Sequence, residues 1–136
     1  MTVVKRPAGR EPSLPPSDGA RRRLTRWSWA MVPVYLFLSA LSGTVLFHAL
    51  QGPLGIHEGD VILMARSVAG WVAEVGITVV LLAAPVAGVV LGGAAIRRGG
   101  SWGPWTALVA NAAFALLTLY MFIDDVHMTY GTSWWG

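Results

Sequence analysis

The side chains able to do chemistry gather near the ends of this chain's hydrophobic runs. Its histidines are His48, His57 and His127, and beyond residue 25 its acids are Glu58, Asp60, Glu74, Asp124 and Asp125. Imidazole and carboxylate are ligands for Zn, Cu, Fe or Mn. Two histidines on separate helices can also hold a haem by its axial positions. His48 and His127 are the candidates for either group. The spacing favours a plainer chemistry. Neither an H-x-x-x-H nor an H-E-x-x-H pair occurs, and with no cysteine there is no thiolate ligand and no thiol nucleophile. His48, Glu74, Asp124, Asp125 and His127 therefore read as an outer polar cluster, held by hydrogen bonds or partner contacts without metal or cofactor. Within hydrocarbon, Glu74 needs a partner such as Arg66 or His48. Tyr120, Asp124 and His127 share one face if their helix continues past Ile123. Gly92-Gly93 and Gly99-Gly100 lack the lysine and strand context of a phosphate loop, and no G-x-S-x-G elbow occurs. No catalytic residue is assigned and no enzymatic activity is expected.

The elements that must position this cluster are apolar helices. Hydrophobic residues make up 54% of the chain and charged residues 12%, where a soluble domain carries roughly a quarter charged. The fold class is an all-α membrane protein with three transmembrane helices. The expected spans are about 27–50, 67–96 and 104–123, each long enough for the roughly 20 residues a bilayer needs. They form a domain over 26–123. Residues 1–25 read as a disordered, basic, Pro-rich tail, and 124–136 as an external acidic and aromatic tail. Gln51-Gly52-Pro53 is expected to end the first span. Asp60 is the expected cap of a helix from about Val61 to Ile96, whose hydrocarbon section lies nearer Val75 to Ile96. Pro85 predicts a kink there. Arg97-Arg98-Gly99-Gly100 reads as a tight turn, with Ser101 capping the third helix.

Small residues mark the faces along which the helices meet. Ser39 with Gly43, then Ala84, Gly88 and Gly92, then Ala107, Asn111 and Ala115 recur at spacing four, which lets backbones approach closely in lipid. Asn111 is polar near mid-span, so it should face a helix and hydrogen-bond there.

The cationic residues set the orientation. All ten Lys and Arg residues except Arg66 precede the first span or lie between the second and third. By the positive-inside rule the N-terminus is cytoplasmic and the C-terminus external. Trp27, Trp29, Trp102 and Trp105 then fall at the inner interface, and Trp71, Trp134 and Trp135 at the outer one. The basic groups would meet anionic lipids of the cytoplasmic leaflet rather than nucleic acid. The chain is expected in the bacterial inner membrane. The layout is similar, in architecture alone and without a shared motif, to membrane anchors of respiratory complexes. The function expected is that of a small accessory subunit of a larger bacterial membrane complex, with a respiratory complex the candidate class. The alternatives are a redox subunit holding haem or metal through His48 and His127, and a small oligomeric transporter.

Overall fold

A computed structural model describes residues 16–57, 62, 67–99 and 102–131. They form helices, with no strand among them. Helix α1 spans Pro16–Leu41, a π-helical turn covers Ser42–Leu46, and α2 continues over Phe47–Leu54. Helix α3 spans Val68–Arg97 and α4 spans Trp102–Tyr130. Three stretches are long and apolar enough to cross a membrane: Asp18–Leu54, Val68–Arg97 and Trp102–Tyr130. Helix α3 packs against both others, while α1 meets α4 more sparingly.

Several boundaries differ from those read in the sequence. Helix α1 starts at Pro16, inside the stretch assigned to a disordered tail. A proline suits the first turn of a helix, where its missing N–H is not needed. Asp18 places negative charge at the helix start and lies 3.7 Å from Arg21. Arg21 Nη1 also donates to the Gly99 carbonyl at 3.1 Å, which ties this turn to the α3–α4 connection. Residues 1–15 lie outside the described residues.

Gly52-Pro53 does not end the first span. The helix runs through Pro53 and stops at Leu54, because Gly55 adopts a left-handed φ of 65°. Gly55 N–H donates to Gly52 O at 3.2 Å and Ile56 N–H to Gln51 O at 3.1 Å. This is a Schellman closure, and glycine adopts its left-handed residue without Cβ strain.

Helix α3 begins at Val68 rather than Val61. Its cap is Ser67, whose Oγ accepts from Gly70 N–H at 3.0 Å. Asp60, the expected cap, lies outside the described residues, as do Val61, Gly100 and Ser101. Pro85 sits fully buried inside α3.

Helix α4 runs past Ile123 to Tyr130, so 124–130 is helix rather than tail. Thr129 Oγ1 accommodates this by bonding back to Asp125 O at 2.8 Å. Gly131, with φ 62°, then closes the helix through Gly131 N–H to His127 O.

The core is thin and partly polar. Among the described residues the fully buried side chains with the largest volumes are Asn111, Pro85 and Ser28. Valine, leucine and aromatic side chains point outward along all three long helices, as lipid-facing residues of a small bundle must.

Candidate functional site: an acid-lined cavity between the helices

Three polar layers stack along the interior. The layer nearest the arginine-bearing end joins all three long helices. Asn111 Nδ2 of α4 donates to Ser28 O of α1 at 3.0 Å and to Ala107 O of its own helix at 2.8 Å. Ser28 Oγ donates to Gly88 O of α3 at 2.7 Å. The Asn111 carboxamide fills the space that a Cβ at Gly88 would take. Its Oδ1 is buried and has no hydrogen-bond partner among the described residues. One turn along α3, a Cβ at Gly92 would come within 3.1 Å of Leu108 and 3.2 Å of Ser28. The Ala84, Gly88 and Gly92 stripe is thus an internal face, and Ala84 and Ala107 are buried in it. Ala115 is half-buried.

The second layer pairs Tyr35 of α1 with Thr118 of α4. Their hydroxyls are 2.9 Å apart. Thr118 Oγ1 already donates to Phe114 O at 2.9 Å, so Tyr35 is the donor between them. The Tyr35 ring lies 4.8 Å from that of Phe114, tilted by 38°.

Beyond this layer the helices part around a half-open cavity of about 270 Å³. Its polar lining is Tyr35, Ser39 and Ser42 from the α1 side, Glu74 and Thr78 from α3, and Thr118 and Asp125 from α4. Gly43, Phe47, Ile77, Leu81, Met121, Phe122 and the buried Ile62 complete the wall. Glu74, only 7% exposed, and the half-buried Asp125 line the same cavity from α3 and α4.

The π turn borders this cavity. Phe47 N–H reaches back to Ser42 O, one residue further than in an α-helix. Ser42 Oγ donates to Ser39 O at 3.0 Å and Thr44 Oγ1 to Ala40 O at 2.7 Å. Hydroxyls that occupy backbone carbonyls in this way loosen the ordinary α ladder. π-turns inside α-helices recur at functional sites.

Above the cavity an aromatic clamp closes α3 on α4. Trp71 Nε1 donates to Tyr130 Oη at 2.8 Å, and the two rings stack at 5.8 Å. The edge of Phe122 completes the group, 6.5 Å from Trp71.

The structure brings Glu74 and Asp125 to one cavity and leaves His48 on the surface. Asp125, not His48, shares the cavity with Glu74, because the continued α4 turns Asp125 inward. Arg66 lies outside the described residues. His48 is exposed and meets the Phe47 ring edge-on at 6.3 Å. Asp124 and His127 are half-buried, and Tyr120 is exposed. Among the described residues, no three His, Asp or Glu side chains are grouped so as to hold a metal ion. Ser39 and Gly43, read as a packing pair, line the cavity instead.

Ser28, Tyr35, Ser42, Thr78 and Thr118 were missed in the sequence. The signal was present as period. Asn111, Thr118 and Asp125 are seven apart, two helical turns, and so share a face. Ser28, Tyr35 and Ser42 follow the same rule along α1 and into the π turn. Comparison with family models, curated proteins and solved structures gives no match for this chain.

Proposed function

We propose that the chain is a small multi-pass subunit of a larger bacterial membrane complex, with respiratory complexes the candidate class. We place its N-terminus in the cytoplasm of the inner membrane and its C-terminus outside. The observation that supports this reading is the half-open acid-lined cavity. Carboxyl groups inside a bilayer face a bundle interior or a water-filled path. Three helices leave the cavity half-open and Asp125 partly exposed, and a neighbouring subunit is the natural cover. The orientation follows from the nine-to-one division of basic residues.

The test is purification in mild detergent followed by native-gel mass spectrometry. Co-migration with larger partners supports the subunit reading, and Glu74→Gln with Asp125→Asn should then weaken retention. The cavity also favours a second reading. A carboxyl pair that exchanges a proton, repeated around an assembly of identical chains, would line a transport path. A stable homo-oligomer without other proteins points there. A chain that runs alone as a monomer overturns both. A Soret band in the same preparation would replace them with the haem reading of His48 and His127.

A further inference from the structure

We propose that Arg22, Arg23 and Arg26 form a seat for the phosphodiester of an anionic glycerophospholipid, whose acyl chains run along α1 past Trp27. A cleft of about 600 Å³ lies against this face of the helix, lined by Gly19, Arg22, Arg23, Arg26, Trp27 and Ala30. These positions recur at three and four residues, so they form one continuous strip. Gly19 and Ala30, at its two ends, leave the space open.

The arginines differ in what they do. Arg21 is engaged by Asp18 and by the Gly99 carbonyl. Arg22, Arg23 and Arg26 are exposed and have no hydrogen-bond or ion-pair partner among the described residues. Three guanidinium groups within two helical turns, unpaired among the described residues, call for an anion, and their planar forks match phosphate oxygens. Trp27, 56% exposed, places an indole beside them, as suits headgroup depth. Helix α1 is unbroken from these arginines into its apolar run, so the charges stand at a fixed height above the hydrocarbon. A headgroup bearing an amine would bring its own positive charge to the cleft. A phosphodiester without one complements it.

The proposal rests on the membrane-spanning reading but not on the orientation, because a detergent micelle has no sides. The experiment is native mass spectrometry of the full chain from mixed micelles holding equal amounts of phosphatidylglycerol and phosphatidylcholine. The chain should retain the anionic lipid preferentially. Arg22→Gln should reduce that preference about fivefold, the effect of one surface charge near an anionic membrane. The triple variant Arg22→Gln, Arg23→Gln, Arg26→Gln should abolish it while keeping parental helicity by circular dichroism. Arg97→Gln with Arg98→Gln, at the same end but outside the cleft, should leave it intact. Equal retention of the two lipids by the parent overturns the site, and so does loss of preference in the Arg97/Arg98 variant. A wrong orientation would show in a C-terminal reporter fusion and would leave the lipid preference unchanged.

Discussion

At Gly88 the absence of a side chain is a steric requirement, because the carboxamide of Asn111 occupies the place of its Cβ. Asn111 cannot swing aside, being fully buried and bonded to two carbonyls. Gly88→Ala should therefore destabilise the bundle by the roughly 1–3 kcal/mol typical of overpacking. That exceeds the average of about 0.6 kcal/mol for a transmembrane hydrogen-bonded contact. The measure is thermal unfolding in detergent, and a variant that melts with its parent would put Gly88 against lipid. The Tyr35–Thr118 contact makes a different prediction. Tyr35→Phe and Thr118→Val remove the same hydrogen bond, so the double variant should lose less than the sum of the singles. A double-mutant cycle should give a coupling of about 0.6 kcal/mol, and strict additivity would show that the bond contributes nothing. Asn111 was legible as an interhelical hydrogen-bonding residue, since a polar amide in an apolar run has few alternatives. Ser28 and Thr118 were not, because small hydroxyls can bond back to their own helix and so pass unnoticed in an apolar sequence.

The long helices could be read from apolar run length, and their ends could not. Helices α1 and α4 extend into stretches whose composition suggested tails, because tertiary contacts hold them there. Arg21 reaches Gly99, and Trp71 stacks on Tyr130. Pairs separated this far along the chain leave no local signature. The π turn was equally hidden, since Ser42-Gly43-Thr44 continues an acceptable helical pattern. A π turn holds one residue more than the α ladder needs. Deleting Gly43 removes that extra residue, so it should restore regular winding and leave α2 in phase with α1. Helix content should stay constant and Phe47 should keep its place on the cavity wall. The chain has no native cysteine, so a single Phe47→Cys substitution reports this directly. Thiol labelling should keep its rate when Gly43 is removed, and a changed rate would mean that the π turn does more than absorb one extra residue.

Across the whole molecule, charge is divided between two ends. Arg21, Arg22, Arg23, Arg26, Arg97 and Arg98 mark one, and Glu74, Asp124 and Asp125 lie toward the other. A reporter enzyme fused after Gly136 should be active only outside the cytoplasm, and cytoplasmic activity would reverse the proposed orientation. The lengths of the helices carry a separate consequence. Asp18–Leu54 is 37 residues long, about 56 Å at 1.5 Å per residue, against a hydrocarbon layer of about 30 Å. The other two stretches, of 30 and 29 residues, reach about 45 Å by the same rise. The first helix is thus a rod nearly twice the depth of its solvent, pinned to shorter neighbours at Gly99 and Gly88. It must lean or protrude, and how far depends on how thick the surrounding lipid is. Such a rod acts as a gauge: polarised infrared spectra in bilayers of increasing acyl length should show its inclination falling as thickness rises, and a constant inclination would mean that its overhang stands free in water.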